Sequence, residues 1–185
     1  MPKDQPFAAN VSSSEVVFEG MIWNVKREVF DFAGETLTRE FVEHPGAVAV
    51  VAMNDQDQVL MIRQYRHPVG EFLWEVPAGL LDVEGESEVL AAERELLEET
   101  GYRADELEPL IDFYTTPGGN SEKIRVFSAC GLEFVGRPEH QEGEERELVV
   151  EWIDFSQALS AVLKSEIKSP SAAVGIMALA LQRRS

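Results

Sequence analysis

Positive charge is scarce in this sequence. Its 185 residues carry 16 Lys and Arg against 34 Asp and Glu, a formal net charge of −18. Nucleic-acid binding draws most of its affinity from Lys and Arg neutralising phosphates, so this balance argues against DNA or RNA as the main partner. If the substrate is itself anionic, a divalent cation is the natural offset. Long apolar runs are missing as well. The longest uncharged one, 171–181, falls short of the ~20 residues a membrane helix needs, and the opening MPKDQPFAANVSSSE has no apolar signal core. The expectation is a soluble protein with no membrane association. Cysteine occurs once, at Cys130, which excludes an intrachain disulfide and suits a reducing cytoplasm. Because Cys130 closes the apolar-rich run 124–130, it is expected to be a buried structural thiol. His44, His67 and His140 are the only histidines and have no metal-ligand spacing.

Apolar residues are plentiful enough, at 44%, for a real core rather than disorder. The first fifteen residues are polar and are expected to be loose. Residues 16–42 read as three β runs (VVFEGMIWNV, REVFDF and TLTREFV), with a turn at Ala33-Gly34. The continuously apolar GAVAVVAM reads as a strand buried on both faces. VLMIRQYR, beyond the turn Asn54-Asp55-Gln56-Asp57, reads as its partner. A short strand at 72–76 leads into a helix over 87–100, with Ser87 as N-cap and Gly101 as the terminating C′ residue. Strands near 110–114, 124–130 and 148–153 follow, then helices over 155–166 and 171–182. The fold class is mixed α/β (α+β) with a largely antiparallel or mixed sheet. Trp74 and Trp152 are assigned to packing.

Glu95, Glu98 and Glu99 stand at i, i+3 and i+4, which places all three on one face of the helix, while Val89, Ala92 and Leu96 on another side are expected to pack on the sheet. Like charges at these spacings cost a helix roughly 0.2–0.5 kcal/mol per pair. Taken alone, the cluster is either a solvated acidic face or a set of oxygen ligands for Mg²⁺ or Mn²⁺.

The flanking residues decide between these. Gly79-LLDVEG-Glu86-SEVLAAE-Arg94-Glu95-Leu96-Leu97-Glu98-Glu99-Thr100-Gly101-Tyr102 closely resembles the signature of the Nudix hydrolases, G-x5-E-x7-R-E-U-x-E-E-x-G-U with U aliphatic. It departs only in one extra loop residue after Gly79 and in Tyr102 at an aliphatic position. The resemblance implies a Nudix α/β/α sandwich at 46–185, preceded by an N-terminal β region at 1–45. It implies Glu95 and Glu99 as metal ligands, Glu98 as a further or second-shell ligand, and the Ala78 backbone carbonyl as another ligand. It also implies that Arg94 orients a glutamate, with Glu86 as its partner rather than a metal ligand.

Outside the signature the chain resembles the family's ADP-ribose pyrophosphatase group. Pro117 lies sixteen residues after Gly101, within the loop TTPGGNSEK, which also holds Gly119. The stretches REFVEHPGAVAV and VLMIRQYRHPVGEFLWEVPAG are similar to the same group. That resemblance implies Mg²⁺-dependent hydrolysis of ADP-ribose to AMP and ribose 5-phosphate by a cytoplasmic homodimer that exchanges its N-terminal β region. Arg39 and Arg66 would bind the diphosphate, and Trp23 could stack on adenine. A glutamate of the acidic loop 137–147 would be the general base, Glu144 first and Glu145 next. The rivals are another nucleotide-sugar or dinucleotide pyrophosphatase and a non-catalytic module that senses ADP-ribose.

Overall fold

The computed structural model describes residues 1–137 and 147–184, which gather into two compact units. One comprises Met1–Pro45 and Tyr114–Glu122, and the other comprises Gly46–Phe113 with the described residues from Lys123 onward.

The first unit is an antiparallel sheet of β1 (Asn10–Glu19), β2 (Asn24–Phe32) and β3 (Glu35–Glu43), in that order. The expectation of a loose start fails at Asn10–Glu15, which belong to β1. Every residue of β1 is exposed, so the strand is held by its ladder to β2 rather than by a buried face, and the sequence carries no apolar alternation there to announce it. Arg27 of β2 ties the three strands together, through Glu15 of β1 and Glu40 of β3.

In the second unit β4 (Ala47–Ala52) is buried at all six positions, as a continuously apolar run requires. Its odd residues Ala47, Ala49 and Val51 face a core shared with α2 (Phe155–Leu163) and α3 (Pro170–Gln182). Its even residues Val48, Val50 and Ala52 face Ala91, Ala92 and Leu96 of α1 (Glu88–Thr100). Helices therefore cover both faces of the strand. On its edges β4 pairs antiparallel with β7 (Ala78–Leu80) and parallel with β9 (Lys123–Phe134), which in turn neighbours β8 (Tyr102–Tyr114).

The pairing expected across the Asn54–Asp57 turn is corrected. With both edges of β4 occupied, β5 (Gln58–Arg66) joins a second sheet between β10 (Val149–Asp154) and β6 (Glu71–Glu75), and the turn itself closes with a single bridge, Met53 to Val59. Cys130 is a second correction. The β4–β9 ladder ends at Ala52 and Ala129, so Cys130 lies one residue past its partner strand and is exposed, with its sulfur 3.7 Å from Glu106 Oε2. Desolvation, then the Glu106 carboxylate, push its thiol pKa up, away from nucleophilic character. Trp152 packs as expected, its indole N–H donating to the Tyr102 hydroxyl at 3.0 Å, and Trp74 packs against the core.

Candidate active site

The local signals of α1 act where they stand. Ser87 Oγ accepts the Leu90 N–H at 3.3 Å, and Gly101 adopts φ 77°, returning its N–H to the Leu97 carbonyl at 2.8 Å. A helix of this span buries Ala91, Ala92, Leu96, Glu99 and Thr100. Val89, expected on the packed side, stays exposed in the first turn, and Ala91 takes its place in the core.

Glu99 is therefore a carboxylate on the buried side of its helix, at 9% exposure. The Ala78 N–H of β7 donates to its Oε2 at 2.9 Å. Desolvation pushes its pKa up to about 8, opposed by the Ala78 hydrogen bond and reinforced by the charges of Glu95 and Glu75. Burial also raises the pKa of Glu95. The Glu95 carboxylate lies against the backbone of Gly79, where a Cβ would stand 1.9 Å from its carboxyl carbon. That position must lack a side chain for Glu95 to rest there.

Arg94 organises the outer part of the cluster. Its Nε and Nη2 grip Glu86 at 3.0 and 2.9 Å, while Nη1 reaches Glu95 at 2.5 Å and Glu98 at 3.2 Å. The pairing of Glu86 with Arg94 is thus present. The Glu98 side chain is half exposed.

Two features at this site carry weaker signals in the sequence. Glu75 is only 5% exposed, and it clamps Arg66 through Nε and Nη2, each at 2.8 Å. Its visible sign is one carboxylate in the otherwise apolar FLWEVPAG. The demand on Gly79 is visible only as a glycine in the signature.

The remaining sequence-derived candidates belong to the first unit. Trp23 lies in the turn between β1 and β2 rather than in a strand, and its ring stacks on His44, with centroids 4.7 Å apart. The His44 ring is buried, with Nε2 3.4 Å from Glu122. Arg39 is exposed on β3 and donates to the Thr38 carbonyl at 2.8 Å. Pro117 and Gly119 form a turn on Thr116, and the Gly119 carbonyl accepts the Val42 N–H at 2.9 Å. So the structure brings Ala78, Arg66, Arg94, Glu95, Glu98 and Glu99 into one unit and Trp23, Arg39, Pro117 and Gly119 into the other. Glu144, Glu145 and His140 lie outside the described residues.

The donor set around α1, the carboxylates of Glu95, Glu98 and Glu99, suits a hard divalent cation, which takes oxygen ligands. Glu99 is buried beside the like charges of Glu95 and Glu75, a crowding that a cation relieves. Among the described residues no three such side chains converge on one point. Arg94 occupies Glu95 and Glu98, so an ion binding there has to compete with its guanidinium.

Comparison with known proteins places this arrangement in a family. The chain is 45% identical to the ADP-ribose pyrophosphatase of Mycobacterium tuberculosis over 168 residues, 90% of this chain and 81% of that one. It is 35% identical to the methanol dehydrogenase activator of Bacillus methanolicus over 95% of both chains. A solved structure described as an ADP compounds hydrolase superposes with a TM-score of 0.73, covering 98% of this chain and 96% of that one at 24% identity, a likeness of fold. The family model for the NUDIX domain matches residues 43–173, a span that contains the glutamate-bearing helix, its Gly79 cradle and both sheets of the second unit, and the chain belongs to the Nudix hydrolase family.

Proposed function

We propose that this chain hydrolyses the diphosphate bond of ADP-ribose, releasing AMP and ribose 5-phosphate, with a divalent cation, Mg²⁺ or Mn²⁺, as cofactor. The observation that carries the reaction class is the buried Glu99 carboxylate set beside Glu95 on α1. The choice of substrate rests on the 45% identity to an ADP-ribose pyrophosphatase across nine-tenths of the chain.

Glu95, Glu99 and the Ala78 carbonyl would hold the cation, with Glu98 as a further or supporting ligand. A cation in that position supplies Lewis-acid polarisation of the diphosphate oxygens and offsets their charge. Arg94 orients Glu95 and Glu98 and is itself anchored by Glu86. Arg66 binds the diphosphate, its guanidinium fork matching phosphate oxygens, and Arg39 of the first unit is a further candidate phosphate ligand. Trp23 stacks on the adenine, with the Pro117–Gly119 turn part of the substrate surface. Glu144 takes the proton from the attacking water. Phosphate release by an added phosphatase, measured across ADP-ribose, NADH, nucleotide sugars and nucleoside triphosphates, tests the substrate. A nucleotide sugar or dinucleotide turned over in clear preference to ADP-ribose overturns the choice.

Gly79→Ala isolates the metal-site geometry. The added methyl meets the movable end of Glu95 rather than backbone, so the carboxylate is expected to swing away while the fold survives. Turnover should drop about 10²-fold, as misplacement by an ångström does, with the melting temperature nearly unchanged. Wild-type turnover in this variant would show that the position of Glu95 is irrelevant.

The N-terminal β region at 1–45 is read as the dimerisation region, the chain acting as a cytoplasmic homodimer. Its β1 is exposed throughout, and Val16, Val17, Phe18, Met21 and Ile22 are open to solvent, more apolar surface than a free sheet keeps without a partner. Light scattering should give twice the 20.7 kDa chain mass, and removal of residues 1–42 should yield insoluble or inactive protein. An active, monodisperse monomer from that deletion counts against the dimer.

A further inference from the structure

We propose that Glu75 is a positioning residue for the diphosphate site, acting through Arg66; this rests on the reading of Arg66 as a phosphate-binding side chain. Buried carboxylates are rare because desolvation disfavours their charge, and Glu75 is only 5% exposed. Its partner accounts for its presence. β5 and β6 form a hairpin in which Ile62 faces Glu75 and Arg66 faces Glu71, so positions 62, 64 and 66 share a side with 71, 73 and 75. Arg66 lies along that shared face, and its Nε and Nη2 meet the two oxygens of Glu75 in parallel at 2.8 Å each.

Such a fork-to-carboxylate pair fixes both the direction and the plane of the guanidinium, which a single hydrogen bond does not. The Glu75 end is buried while the Arg66 side chain is 41% exposed, so a rooted guanidinium is presented at the surface. Glu75 closes β6, and the chain runs from it directly into β7, whose Ala78 N–H donates to Glu99. A long side chain held in one rotamer loses less conformational entropy when it closes on a phosphate than a mobile one does. Glu75 thus lowers the cost of ground-state binding without touching the reacting atoms.

The experiment measures KM and kcat for ADP-ribose with Mg²⁺ in the full-length protein, comparing wild type with Glu75→Gln, Arg66→Ala, the double variant and Arg66→Lys. Glu75→Gln keeps shape and removes the charge. It should lower kcat/KM about 10²-fold, chiefly through KM. The double variant should be no worse than Arg66→Ala alone, since Glu75 acts through Arg66. Arg66→Lys keeps the charge but cannot be gripped at two points, so it should behave like Arg66→Ala; it also covers the case in which Glu75→Gln does not fold. A Glu75→Gln enzyme within twofold of wild type overturns the inference. So do losses that multiply in the double variant, or a wild-type Arg66→Lys. If wild type ignores ADP-ribose but turns over another diphosphate, the substrate reading fails and the same cycle run on that compound decides the role of Glu75. If wild type hydrolyses no diphosphate, both fall.

Discussion

Glu99→Gln is expected to lower turnover of ADP-ribose by ~10³-fold at saturating Mg²⁺, since metal coordination supplies several kcal/mol of transition-state stabilisation and each 1.36 kcal/mol is tenfold in rate. The amide keeps the shape of the side chain and an oxygen to accept the Ala78 N–H, but it carries no charge for an ion. The same substitution should have the opposite effect on the metal-free fold. The Glu99 carboxyl, with its pKa pushed up to about 8 by burial, binds its proton more tightly when folded than when unfolded, where about 4.5 applies. Between those values the unfolded state has lost a proton that the folded state retains, so stability falls as pH rises from about 4.5 to about 8. In chelator, the melting temperature of wild type should therefore decline across that window, and the Glu99→Gln curve should be flatter. At pH 8 the variant should melt higher than wild type. Added Mg²⁺ should reverse that order by stabilising wild type alone. Near-normal turnover with saturating metal would remove Glu99 from the ligand set. A wild-type pH curve parallel to that of the variant would remove the buried-acid argument.

What could be read from the sequence was governed by how local each signal is. The limits of α1 follow from Ser87 and Gly101, side chain and backbone acting within one turn, and the common face of Glu95, Glu98 and Glu99 follows from helical geometry alone. The burial of β4 was legible for the same reason, since an apolar residue at every position leaves no solvent face. Its partners were not. The turn at Asn54–Asp57 makes β5 the nearest candidate in sequence, yet a strand with two buried faces also fills both edges, and β7 and β9 arrive from elsewhere in the chain. The exposure of Cys130 is the same kind of long-range fact, since it depends on β4 stopping at Ala52. In β1 there is no buried face, so periodicity had nothing to report at Asn10–Glu15 and the ladder to β2 decides the matter. The pairing of Glu86 with Arg94 could be anticipated because both belong to one signature. That of Glu75 with Arg66 could not, because it requires knowing that β5 and β6 form a hairpin and in which register.

Glu144→Gln is expected to lower kcat by about 10²–10⁴-fold with little change in KM or metal dependence. The argument begins from the helix. Glu95 and Glu98 are held by Arg94, Glu99 accepts the Ala78 N–H, and an ion would draw on all three carboxylates. A carboxylate committed to a cation is a poor proton acceptor, so hydrolysis by water calls for a base from another segment. The acidic run Glu142 to Glu147, immediately before β10, offers one, and register against that strand favours Glu144 with Glu145 as its neighbour. Replacing a group that acts only on the attacking water leaves ground-state contacts intact and places the loss in kcat. Glu145→Gln should then be mild. If Glu145→Gln is instead the crippled variant, the register moves by one residue and the mechanism stands. If neither substitution costs tenfold, the proton leaves by another route, and Glu98, half exposed at the rim of the cluster, becomes the group to replace next.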